Sequence, residues 1–130
     1  MSRITNISLI LLLAILLGAC SSTKSGKLLT EKDAGQSFSI KKGNQFKVTL
    51  EGNPTTGYNW VATGLDDLIL KQVGEPEFKA DSTLIGAGGK ITLTFQAVAA
   101  GHVTLKLEYR QPWETPAQPE KTFEVSVDVK

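Results

Sequence analysis

The chain has 130 residues, with 14 lysines and arginines against 13 aspartates and glutamates, one histidine and one cysteine. That length suits a single domain, and the near-balanced charge supplies neither a basic excess for nucleic acid nor an acidic excess for a cationic partner. A single cysteine rules out an intrachain disulfide and any histidine–cysteine metal cluster.

Residues 1–19 read as a leader. Arg3 gives a small positive n-region, and 7–17 are almost wholly apolar. Such a run is short for a membrane span and right for a signal-peptide h-region. Leu17-Gly18-Ala19-Cys20 follows directly. Small residues before a cysteine at this junction resemble the lipobox of bacterial lipoproteins, in which the signal is cut before the cysteine and the cysteine carries the lipid. The plainer readings of Cys20 are a free thiol or an ordinary signal peptide cut nearby. The lipobox reading places the protein in the cell envelope, anchored through Cys20 to the outer membrane or the periplasmic side of a bacterial membrane. Residues 20–30 then form the lipid-bearing cysteine and a small, polar tether, and 31–130 form the domain.

Along the domain, a short edge strand is expected within 28–32. Phe38 and Ile40 alternate with polar neighbours, and Lys42-Gly43-Asn44 reads as a turn. Phe46, Val48 and Leu50 alternate with Lys47, Thr49 and Glu51, the pattern of a half-buried strand. Asn53-Pro54-Thr55-Thr56-Gly57 precedes a further strand over 58–63, whose Trp60 is expected to pack between two sheets. The apolar run 65–73 reads as strand, and 77–80 starts another. Thr83-Leu84-Ile85-Gly86-Ala87-Gly88-Gly89-Lys90 reads as a glycine-rich loop. Three strongly alternating strands follow: Ile91 to Ala97, Val103 to Tyr109, and Phe123 to Val129, the last two joined by a Pro-rich connection over 110–119. No helical periodicity appears after residue 20. Many short strands with regular turns predict an all-β, immunoglobulin-like sandwich of about seven to eight antiparallel strands.

Catalytic chemistry is poorly supplied. His102, the only histidine, lies beside a glycine turn and reads as a surface residue. Asp66-Asp67 would point to opposite faces of a strand, so a turn or solvated end suits them better than paired acid–base work. The glycine loop lacks the Lys-Ser/Thr and the helix of a phosphate loop. No nucleophile, base or metal set is identifiable, so neither an enzyme nor a cofactor is expected. Three loops look built for contact: 53–58, 84–90 and 110–119. Pro54 fixes one φ angle of the first and Gly57 allows a positive one, giving a loop stiff for its length, though the same residues suit an ordinary turn equally well. Trp113, an aromatic outside any alternating run, is the residue type favoured at binding hot spots, or else pins its loop to the sandwich.

These three motifs, in this order, resemble the chagasin family of cysteine-peptidase inhibitors over about 38–129. Asn53, Pro54, Thr55, Thr56, Gly57 and Tyr58 match the family's first inhibitory loop in full. Gly86, Ala87, Gly88 and Gly89 look like its second. Tyr109, Pro112, Trp113 and Glu114 look like its third, which typically reads Arg-Pro-Trp. Gln111 stands here where that arginine stands, with Arg110 one place earlier; either Gln111 supplies a neutral hydrogen bond or Arg110 reaches round. The resemblance implies a monomeric, reversible, competitive inhibitor whose three loops occlude the cleft of a papain-like peptidase, with Thr55 and Thr56 near the enzyme's cysteine and histidine. A different class remains possible for such a sandwich: a lipid-anchored module binding an envelope protein or glycan.

Replacing Cys20 with alanine should leave the protein unprocessed or soluble. Equal detergent partitioning of mutant and wild type would remove the anchor.

Overall fold

Alternation of apolar and polar residues becomes alternation of buried and exposed faces in the computed structural model, which describes residues 26–114 and 118–130. Among the described residues nine strands form: β1 Lys27–Leu29, β2 Ser37–Ile40, β3 Gln45–Gly52, β4 Asn59–Thr63, β5 Leu70–Gln72, β6 Glu77–Ala80, β7 Gly89–Ala97, β8 Gly101–Arg110 and β9 Lys121–Val129. One sheet has the order β1-β3-β7-β5, with β6 also paired to β7; the other has the order β2-β9-β8-β4. Phe46, Val48 and Leu50 of β3 and Ile91, Leu93 and Phe95 of β7 face Leu105, Leu107, Val125 and Val127 of β8 and β9, all essentially sealed from water. Each such side chain contributes about 1.5–3 kcal/mol on burial. The Phe46 ring stacks on Phe95 at 5.5 Å and takes Phe38 edge-on at 5.0 Å, so the sheets meet through aromatic as well as aliphatic contacts.

The expected immunoglobulin-like sandwich is present, with differences that have physical causes. Two strand pairs are parallel, β1 with β3 and β2 with β9, where an antiparallel arrangement was expected throughout. The chain leaves β1 in one sheet, crosses over 30–36 and enters β2 in the other. Each of these short strands then lies against a neighbour running its own way. The crossing is made by a single 3-10 turn, Glu31–Asp33, in which the Asp33 carboxylate accepts from Thr30 N–H at 2.8 Å. That turn ends the expected 28–32 strand at Leu29. Leu29 is itself fully buried, so the sandwich begins at β1 and not at residue 31. Cys20 and the leader lie outside the described residues.

The 65–73 run is strand only at Leu70–Gln72. Asp66 breaks its first half: its carboxylate accepts from Leu68 N–H at 3.0 Å, and its carbonyl accepts from Ile69 and Leu70 N–H at 3.0 and 2.9 Å. Asp66 is thus the turn residue its sequence context suggested. His102 lies on the outer face of β8 near the end where that strand starts, 2.7 Å from the Asp128 carboxylate.

Trp60 is 4% exposed and bridges the sheets as expected. From β4 its indole N–H donates to the Glu51 carbonyl of β3 at 3.0 Å, and its ring lies 5.2 Å from that of Tyr109. Trp60→Ala opens a cavity and orphans that carbonyl, and should cost ~3–5 kcal/mol of stability. A melting curve within a degree of wild type would contradict the bridging role.

Candidate functional site: a three-loop face

β3 and β8 run toward one end of the sandwich, and β4, β7 and β9 start from it. Gly52, the last residue of β3, pairs with Gly89, the first of β7; Arg110, the last of β8, pairs with Asn59, the first of β4. The three connections that the sequence singled out therefore emerge side by side.

The first loop is a tightly bonded turn. Pro54–Thr56 form one turn of 3-10 helix with Asn53 as its N-cap and Pro54 in the first turn, where its missing N–H costs nothing. The Asn53 carboxamide oxygen accepts from Thr55 N–H at 3.2 Å and from the Thr55 hydroxyl. The Asn53 carbonyl accepts from the Thr56 hydroxyl at 2.7 Å and from Thr56 N–H at 3.2 Å. Gly57 closes the turn at φ 83°, donating to the Pro54 carbonyl. Thr55 and Thr56 are exposed at the tip.

Asn53 also ties this loop to its neighbours. Its backbone N–H donates to the buried Tyr109 hydroxyl at 2.8 Å, and its side-chain NH2 donates to the Gly86 carbonyl at 3.0 Å. The first loop is thereby bonded to the core beneath and to the second loop beside it. Gly88 backs against the first loop as well: a methyl there would lie 3.6 Å from the Gly52 carbonyl. Gly86 is exposed, Ala87 and Gly88 are half-buried, and Gly89 lies buried within β7. Gly89 is therefore a strand residue whose lack of a side chain admits the Lys79 carbonyl of β6, and it is not presented at the surface.

On the other flank lies the third loop. A methyl built on Gly57 would sit 2.8 Å from Trp113 Cη2, so the indole rests directly on that glycine. Pro112 and Trp113 are exposed, Trp113 to 71%. With its amide assigned so that the nitrogen faces Glu114, Gln111 donates to that carboxylate at 3.2 and 3.3 Å. Arg110 lies against its own loop in the free protein. Its side chain is 15% exposed and turned into its own loop, where one guanidinium nitrogen donates to the Pro112 and Glu114 carbonyls at 3.3 and 2.6 Å. Those carbonyls are in range only because the chain turns back at 111–114, with Glu114 N–H donating to the Gln111 carbonyl at 3.0 Å.

Two residues missed in the sequence complete the face. Leu84 and Ile85 of the second loop are 76% and 106% exposed. The signal was available: two large apolar residues in a polar, glycine-rich loop outside any alternating run. Tyr58 is half-buried, its ring 5.4 Å from Tyr109, and works as the floor of the first loop. Beside the loops, an open groove of about 600 Å³ runs between Thr56, Tyr58, Gly88, Asp81, Glu120 and Lys121. Just below, Lys90 donates to Glu51 across β7 and β3 at 2.9 Å. This hydrogen bond and its charge hold the Glu51 carboxyl below its usual range and the Lys90 ammonium above its own. Both groups are open to solvent, so the pair orients strand ends and adds little to stability.

The face can make main-chain and hydroxyl hydrogen bonds and bury apolar surface; among the described residues it gathers no metal-binding cluster. Gly57→Ala tests its assembly. The left-handed backbone costs ~1–2 kcal/mol, and the new methyl displaces Trp113. Amide resonances of 111–114 should shift along with those of 53–58; unchanged third-loop resonances would mean the two loops are independent.

The comparisons with known proteins agree with this geometry. The model of the chagasin family peptidase inhibitors, I42, matches residues 39–127. Amoebiasin-1 of Entamoeba histolytica is 33% identical over 105 residues, covering 78% of this chain and 98% of its own. Chagasin of Trypanosoma cruzi is 30% identical over 101 residues, covering 75% and 92%. Among solved structures, a cysteine protease inhibitor from Entamoeba histolytica superposes with a TM-score of 0.67 at 25% identity, covering 80% of this chain and 94% of that one. A match of this extent, through both strands and loops, settles the lineage: the chain belongs to the chagasin family of peptidase inhibitors.

Proposed function

We propose that this protein inhibits papain-like cysteine peptidases reversibly and competitively, by filling the active-site cleft with the three-loop face. The observation that carries the reading is the joining of the loops. Asn53 binds the first loop to the second, and Trp113 seats the third on Gly57. Loops held in place before binding lose little entropy when they dock. Thr55 and Thr56 supply the central polar contacts, Gly86, Ala87 and Gly88 allow close backbone approach, and Leu84, Ile85, Pro112 and Trp113 bury apolar area on either side.

The same proposal anchors the inhibitor through a lipid on Cys20 in the cell envelope. Its support is the apolar run at 7–17 and the Leu17-Gly18-Ala19-Cys20 motif. The topology is compatible with it: β1 runs parallel to β3, so the chain enters the sandwich at the end opposite the loops. An attachment there leaves the loop face free.

The test is an inhibition panel across papain-like, serine, aspartic and metallopeptidases. Slowing should be confined to papain-like enzymes, and the inhibitor should be recovered intact and active after long incubation; cleavage at Thr55-Thr56 or a covalent adduct would sink the occlusion mechanism. Trp113→Ala should weaken binding to papain by ~2 kcal/mol, roughly thirtyfold in the dissociation constant, with melting nearly unchanged. A large fall in melting temperature with undiminished inhibition would make Trp113 a structural pin.

A further inference from the structure

The third loop has little bonding of its own. Its described backbone makes one turn bond, from Glu114 N–H to the Gln111 carbonyl at 3.0 Å, and its aromatic residue is 71% exposed, touching the first loop at Gly57. What fills the middle of the loop is a charge. The Arg110 guanidinium donates to the carbonyls of Pro112 and Glu114, the residues immediately before and after Trp113. Behind it, on the same outward face of β8, the Glu108 carboxylate lies 3.4 Å from Arg110 Nε, and Lys106 lies 3.9 Å from the other Glu108 oxygen. Lys106, Glu108 and Arg110 thus form an alternating row of charges running up the strand into the loop. Arg110 and Glu108 are only 15% and 20% exposed, so their attraction is less screened than that of an open surface pair.

We propose that Arg110 is a positioning residue for Trp113. Backed by Glu108, its Nη1 grips the carbonyls of Pro112 and Glu114 on either side of the tryptophan and so holds the indole over Gly57. Charge-assisted hydrogen bonds of this kind are about twice as strong as neutral ones. Lysine cannot replace it, because a single ammonium cannot donate to both carbonyls and at the same time present a second nitrogen to Glu108, as the guanidinium does with Nη1 and Nε. Gln111 closes the same turn from the outside through Glu114. The charge at position 110 therefore acts inside the inhibitor and does not itself meet the peptidase.

Part of the test rests on the proposed function and part does not. Fluorotryptophan labelling gives two fluorine NMR lines, one for each of the two tryptophans. In the free protein, Arg110→Ala should move the Trp113 line toward its denatured-state position and narrow it, leaving the Trp60 line, which reports the intact core, in place. Arg110→Lys should behave like alanine, and Glu108→Gln should give a smaller shift of the same sign. A Trp113 line unmoved by Arg110→Ala overturns the proposal whether or not any peptidase is inhibited. The second arm is a double-mutant cycle on papain inhibition. Arg110→Ala should weaken wild type by about tenfold and the Trp113→Ala variant by far less, because the residue it positions is gone. Full multiplication of the two losses would place Arg110 in direct contact with the peptidase and overturn the proposal. Wild-type protein that inhibits nothing would remove the functional reading while leaving the fluorine result to decide the structural one.

Discussion

The hydrogen bond from Asn53 N–H to the Tyr109 hydroxyl joins what holds the sandwich together to what the sandwich presents. Tyr109 belongs to β8 in one sheet, and Asn53 follows β3 in the other. The Tyr109 ring lies 5.4 Å from Tyr58 and 5.2 Å from Trp60 at the loop end of the core, so its hydroxyl has little freedom to move. Gly52 makes the approach possible: a methyl there would come 2.5 Å from Ile91 Cδ1 and 3.2 Å from the Tyr109 ring. The Tyr109 carbonyl in turn accepts from Glu120 N–H at 3.1 Å, which sets where the chain re-enters from the third loop. One residue, through its hydroxyl and its backbone carbonyl, thus fixes the base of two loops.

From that point the bonding passes outward through Asn53, which uses every polar group it has. Its N–H goes to the core, its NH2 to the second loop, its side-chain oxygen to Thr55 and its carbonyl to Thr56. The consequence for Thr55 and Thr56 is specific. Both hydroxyl protons are committed within the loop, so what each side chain offers outward is lone pairs and a methyl group. A partner that binds this tip with hydrogen bonds must bring donors. The residue types at the tip are legible in the sequence; the direction of their hydroxyl protons is not.

Legibility followed how local the determining interaction is. The alternation in β3, β7, β8 and β9 is written residue by residue, and those strands form where expected. The loop residues were legible because Pro, Gly and an unplaced tryptophan carry local meaning. The parallel pairing of β1 and β2 was not, since the partner of an edge strand depends on which sheet the chain has crossed to. In 65–73 the apolar count was misleading: Leu70 is sealed and Leu68 is 78% exposed, and the Asp66 turn decides between them. Arg110 is the sharpest case. Whether a long cation at a strand end turns outward or inward depends on two carbonyls that come into range only after the loop has folded.

The conformation of the first loop also bears on why such a face should block a peptidase without being consumed by it. A scissile peptide must lie extended in the cleft, with its carbonyl free to accept the bonds that stabilise an oxyanion. Here Asn53 to Gly57 is coiled into a 3-10 turn. The carbonyls of Asn53 and Pro54 already accept from Thr56 and Gly57 N–H at 3.2 and 3.0 Å. Extending the segment would break both bonds, together with the Asn53 cap and the seat of Trp113 on Gly57. These losses fall together, because each contact is made by a residue that also makes another. The loop therefore resists unwinding as a unit, and the force that seats it in a cleft does not pull any one peptide bond toward the geometry of attack.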